Sequence, residues 1–254
     1  MKNFILICIS VTLFFSCGIC KKFSSEEKGA KKEDTKTETT KKETETSEGG
    51  NKQSTSESEK TKTSVEMLTF NKSDLPSDIK YTGSIVTGKR WTDKNGENIL
   101  ILTKTNIKEK KAKQPDFGDI VRECELYGYH YVSSGGAYSL LWKINDLVSD
   151  CVFDLTLDFI PGALSITDIN DNGIAESTFL YKMACRSDVS PSELKLIMHE
   201  NDTKYALRGT MFIKVQGFTD GGSYKVDKAF DSAPDGFLDF AKTQWKEFKT
   251  ETFN

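Results

Sequence analysis

From Lys21 to about Glu66 the chain is built almost wholly of Lys, Glu, Thr, Ser and Gly, with hardly an apolar side chain. Such a stretch cannot bury enough surface to offset the entropy of ordering it. It predicts a disordered tether and confines any folded core to the residues that follow. Its Lys and Glu are nearly in balance, so it reads as a solvated polyampholyte and not as a single-sign arm for nucleic acid or anionic lipid.

The residues ahead of this tether have their own pattern. Met1-Lys2-Asn3 is followed by an almost unbroken apolar run from Phe4 to Phe15. A basic start, a short apolar run and then small residues predict a secretory signal peptide over residues 1–16. The run is too short to span a bilayer, which takes about 20 residues. Leu13-Phe14-Phe15-Ser16-Cys17 resembles a bacterial lipobox, although tighter lipoboxes carry smaller residues where Phe14 and Phe15 stand. On this reading Cys17 is diacylated and becomes the mature N-terminus. Cys20, after Ile19, is a second candidate, and a plain secretory cut near Ser16 is the alternative. The expected organisation is a signal peptide (1–16), an anchor cysteine and tether (17–69) and a β-rich globular domain (70–254). The expected location is the bacterial cell envelope, with the membrane held through the N-terminal lipid.

The formal charge of the 254-residue chain is −3, and the tether contributes almost none of it. The folded part is therefore mildly acidic, which argues against nucleic acid as a partner. Export accounts for Cys8 and Cys17, leaving Cys20, Cys124, Cys151 and Cys185. Thiols outside the cytoplasm tend to pair, and Cys151–Cys185 is the preferred bridge. Closing a loop of about 35 residues would contribute roughly 3–4 kcal/mol by the chain-entropy estimate. Cys124 is then expected to be a small buried hydrophobe.

From about Phe70 the aromatic and β-branched residues alternate with period two, the pattern of half-buried strands. Strands are predicted over 79–86, 98–105, 124–132, 138–144, 152–159, 164–168, 177–182, 193–199 and 205–215, with a short piece near Tyr224. Asp93-Lys94-Asn95-Gly96 marks a hairpin turn. Residues 108–119, broken by Pro115, are expected to be a loop. Phe153, Leu155, Leu157 and Phe159 are expected on one face of their strand, and Tyr127, Tyr129 and Tyr131 on one face of theirs. Only the end looks helical: Pro234 suits a first turn, and Phe237, Leu238, Ala241, Trp245 and Phe248 form one stripe. The fold class is mostly β: a single antiparallel domain with one C-terminal capping helix. Sandwich, partly closed barrel and curved meander all fit the pattern.

One local signal carries chemistry. Asp168-Ile169-Asn170-Asp171-Asn172-Gly173-Ile174-Ala175-Glu176 has oxygen side chains at positions 1, 3 and 5, Gly at 6 and a carboxylate at 9. That is calcium-loop spacing, with the Ile174 carbonyl as a further ligand. Phe179 stands where an EF-hand needs Glu, and the flanks are strands, so the loop resembles the calcium hairpins of integrin-type propeller repeats. Asn at two positions lowers the charge, giving an expected affinity of ~10⁻⁴–10⁻³ M. The alternative is a metal-free Asn/Asp/Gly turn. Trp91-Thr92-Asp93-Lys94-Asn95-Gly96 echoes the loop weakly and reads as a turn.

Enzyme signatures are thin. His130 and His199 have no second His or Cys at ligand spacing and read as exposed strand residues. There is no Gly-x-Ser-x-Gly elbow and no phosphate-cradling glycine loop. A carboxylate pair for glycoside hydrolysis is not identifiable among the many Asp and Glu. The tyrosine stripe and Trp142 could stack on sugar rings, but such stripes more often pack a core.

Four segments, Leu75–Gly83, Trp91–Asn98, Asp150–Leu157 and Cys185–Pro191, resemble in sequence and order a family of bacterial lipoproteins loosely labelled "surface polysaccharide biosynthesis protein". The calcium-like loop and Lys195-Leu196-Ile197-Met198 belong to the same pattern. Cys151 and Cys185 both lie in matching segments, which supports pairing them. The resemblance implies a lipid-anchored envelope protein in surface polysaccharide production or display, binding glycan or an envelope assembly protein. It carries no catalytic residues over. The competing expectations are a carboxylate-dependent glycan-modifying hydrolase and a surface adhesin.

Overall fold

The computed structural model describes residues 64–113, 118–133 and 135–253; the signal segment, Cys17, Cys20, nearly all of the tether and Pro115 lie outside them. The first sheet contains β1 (Glu66–Leu68), β2 (Ser84–Asp93), β3 (Gly96–Lys104), β4 (Lys108–Lys111), β5 (Ile120–Ser133) and β6 (Tyr138–Cys151). Every pairing is antiparallel. β1, β2, β3 and β5 lie side by side, β4 continues past β3 along one edge of β5, and β6 takes the other edge.

The second sheet contains β7 (Asp154–Phe159), β8 (Ser165–Thr167), β9 (Glu176–Arg186), β10 (Glu193–Glu200) and β11 (Thr203–Thr210). A separate hairpin follows, β12 (Phe212–Val215) with β13 (Phe218–Gly221), and then β14 (Tyr224–Val226) pairs with β11. β7 and β8 share one edge of β9, and β10 lies on the other. Helix α1 (Phe237–Phe248) follows.

The two sheets pack face to face as an open sandwich. Trp91, Leu100, Leu126 and Trp142 from the first meet Leu157, Phe179, Tyr181 and Ile197 from the second. The outer face of the second sheet is covered by α1, whose Phe237, Ala241 and Trp245 pack on Leu180, Leu196 and Met198. The outer face of the first is covered by the stretch around Phe70, Leu75 and Ile79, which lies on Ile99, Ile101 and the tyrosine stripe. Gly88 permits that cover: a Cβ there would stand 2.4 Å from the Phe70 ring. The central strands of each sheet are therefore buried on both faces, while the edge strands β4, β6 and β14 keep exposed side chains. That is why β3 is an unbroken buried run from Asn98 to Thr103.

Several expected boundaries move. Residues 79–83 are not strand, whereas β1 pairs with β2 ahead of Phe70. The expected loop after Lys108 begins with a strand, because Lys110–Glu123 and Glu109–Arg122 ion pairs seat the charged β4 beside β5. Phe153 precedes its strand and is exposed, so it does not share the face of Leu155, Leu157 and Phe159. The run 205–215 breaks at Met211, where the backbone leaves β10; Phe212 then exchanges hydrogen bonds with Lys249 and Glu251. Pro234 lies ahead of α1, not in its first turn. The Cys151 and Cys185 sulfurs are bonded, joining the end of β6 to β9 and so one sheet to the other. Cys124 is a buried free thiol.

Candidate functional site

Three turns meet at one end of the sandwich. The β8–β9 loop folds on its own side chains: Asp168 Oδ2 accepts from Gly173 N–H at 3.0 Å, Asn170 Oδ1 from Asn172 N–H at 3.1 Å and Asn172 Oδ1 from Ile174 N–H at 2.7 Å. Asp171 (φ 54°) and Gly173 (φ 79°) make the left-handed steps that such a tight reversal requires. Glu176 turns back into the loop, and its Oε2 accepts from Ile169 N–H at 3.0 Å and from the Thr167 hydroxyl at 2.9 Å. All five residues of the calcium-like spacing thus belong to one closed loop.

The neighbouring turns hold it. Glu200, at the end of β10, accepts the Nδ2 protons of Asn170 (2.8 Å) and Asn172 (2.6 Å) through one oxygen. From the other sheet, Asp93 Oδ2 accepts from Ala175 N–H at 3.1 Å and from Trp91 Nε1 at 3.1 Å. Lys94 donates its backbone N–H to the Gly173 carbonyl at 2.9 Å and its ammonium to the Asn172 carbonyl. Asn95 Nδ2 reaches Asn201 Oδ1 at 2.6 Å. The weak echo at Trp91–Gly96 is indeed the β2–β3 turn, yet it is also what docks the first sheet onto the loop. Sequence spacing holds no sign of that contact.

Two carboxylate oxygens here have neither solvent nor a hydrogen-bond partner: Asp168 Oδ1 and Glu176 Oε1. Glu176 has no exposed surface, and burial pushes its carboxyl up to about 7 despite the Ile169 and Thr167 bonds. The opposing Glu200 adds a smaller push in the same direction. Among the described residues no three His, Cys, Asp or Glu side chains gather as a metal centre. The loop instead offers two carboxylates with amide oxygens, a donor set for a hard cation and not for zinc or copper.

Behind this cluster lies a buried aromatic row. His130 and His199 are both buried, not exposed as expected, and they flank Trp142. His199 stacks on the indole at 3.9 Å between centroids, His130 meets its edge at 5.4 Å, and Trp91 lies 5.0 Å from His130. His130 Nε2 shares a 2.9 Å hydrogen bond with Asn98 Oδ1. Burial lowers His130 to about 4, against a small opposing pull from Asp93, and lowers His199 to about 3, with His130 and Lys204 adding to the fall. Both rings are neutral at pH 7. The tyrosine stripe is likewise core: Tyr131 hydroxyl bonds the Lys80 backbone, and Tyr129 hydroxyl accepts from Thr82 N–H at 3.1 Å. A separate cleft of about 390 Å³, lined by Val86, Leu102, Phe159, Leu164 and Phe179 with Lys89, opens between β2 and the β7–β8 connection.

Comparison with protein-family models, with curated proteins and with solved structures finds no match.

Proposed function

We propose that this chain is a lipid-anchored protein of the bacterial cell envelope that supports surface polysaccharide production or display by binding glycan or an assembly partner. The observation that carries the reading is the Cys151–Cys185 bridge between the two sheets, the chemistry of an oxidising compartment. It agrees with the export signal, the Ser16-Cys17 junction and the apolar-poor tether, which would hold the domain clear of the membrane. The link to polysaccharide rests on the ordered segments Leu75–Gly83, Trp91–Asn98, Asp150–Leu157 and Cys185–Pro191.

Expression of the full chain in a bacterial host with labelled palmitate tests the anchor. The wild type should take up label, and Cys17→Ala should accumulate as an unlabelled precursor; label on the mutant would place the anchor elsewhere. Purified protein on arrays of bacterial surface polysaccharides tests the role. Retention without release of reducing ends is the expected result. Release of reducing ends would favour the hydrolase, and binding to host matrix proteins in place of glycan would favour the adhesin.

A further inference from the structure

The β8–β9 loop confines two carboxylates where neither water nor a donor reaches one oxygen of each. Glu176 is fully buried, with Oε2 held by the loop backbone and Thr167 and with Oε1 unpartnered. Asp168 repeats the arrangement, with Oδ2 on Gly173 N–H and Oδ1 unpartnered. A buried ionised oxygen without a partner is costly, so such a group either keeps a proton or faces a cation.

We propose that the loop Asp168–Glu176 is a calcium site, with Asp168 Oδ1 and Glu176 Oε1 as its charged ligands. Asn170 Oδ1, Asn172 Oδ1 and the Ile174 carbonyl supply neutral oxygens. Three features of the chain support this. The donors are all oxygen, which suits a hard cation with flexible coordination. Two carboxylates balance the charge of one divalent ion, so the filled site is neutral. Glu200 accepts an Nδ2 proton from both asparagines, which fixes their amides with the oxygens turned back into the loop. The Lys94 ammonium on the Asn172 carbonyl sets a positive charge beside the site and keeps affinity low. This inference does not depend on the lipid anchor or on glycan binding.

The test uses the full chain stripped with chelator and titrated with calcium or magnesium chloride, read by calorimetry and by thermal melting. Calcium should bind with Kd ~10⁻⁴–10⁻³ M, and a few millimolar should raise the melting temperature by about 2–6 °C. Magnesium should give less than half that shift, because its rigid octahedral demand fits this loop poorly. Glu176→Gln keeps the shape and removes a charge, and Asp168→Asn does the same if the first variant fails to fold; either should lose the calcium shift. Wild-type melting that is the same in calcium and in chelator overturns the site and leaves Glu176 a buried carboxylic acid. An equal shift from magnesium, or a full calcium shift in a folded Glu176→Gln chain, overturns it as well.

Discussion

Glu251 lies three residues from the end of the chain, yet it is nearly excluded from solvent and serves as a hub. Its oxygens accept from Arg186 twice, from Lys182, and from both the N–H and the hydroxyl of Ser192. Glu251→Ala would strand those donors, and we expect a loss of about 3–5 kcal/mol in urea unfolding. Burial pushes this carboxyl up, but the Arg186, Ser192 and Lys182 bonds outweigh it and hold it below its usual value. Its contribution is thus present above the ordinary carboxylate range and is lost as pH falls through the lower, folded value. The two histidines act in a different window. Their folded pKa values, about 4 and about 3, lie below the ordinary imidazole value of 6.5. The unfolded chain therefore binds protons first as pH falls below 6.5, and stability drops from there towards pH 4. Glu176, whose folded value is about 7, takes up its proton first in the native state and so offsets part of this loss over the same window. We expect a net loss of about 2–3 kcal/mol between pH 7 and 4.5 in urea melts. His199→Phe, which keeps an aromatic ring against Trp142, should remove about half of the histidine contribution and leave that of His130 and the more acid limb in place. Neither histidine's role was legible in the sequence. An isolated His on an alternating strand looks the same whether its face meets water or a second sheet.

At the scale of elements, legibility followed burial. The helix announced itself because Phe237, Ala241 and Trp245 recur at helical spacing and all three are buried. Trp245 also donates to the Gly222 carbonyl at 3.2 Å, and Trp245→Ala should cost about 3–5 kcal/mol in the same unfolding assay. β1 and β4 gave no signal, because Glu66-Met67-Leu68 and Lys108-Glu109-Lys110-Lys111 are edge strands without a buried alternation. The break at Met211 was hidden for the opposite reason: apolar residues continue through it while the backbone changes partners. The disulfide was legible as a pairing but not as a staple between sheets. With 34 residues of separation, replacing both Cys151 and Cys185 by Ser should destabilise the chain by roughly 3–4 kcal/mol. A wild-type control in reductant should reproduce the loss.

For the whole molecule, alternation established strands without choosing among sandwich, barrel and meander. That choice depends on which faces meet, and the central strands of both sheets are covered on both faces. The candidate site was half legible. The spacing within Asp168–Glu176 stood out in the sequence, but the contacts of Asp93 and Lys94 with it arise only when the sheets stack, and that of Glu200 only when β10 pairs with β9. The proposed export and lipid anchoring of a domain stapled across its sheets can be read from the intact mass of the protein recovered from bacterial membranes. The expected species is a chain beginning at Cys17, heavier than its sequence by a lipid adduct and lighter by the two hydrogens of the Cys151–Cys185 bridge. A chain that still begins at Met1, carries no lipid and keeps both thiols reduced would contradict it.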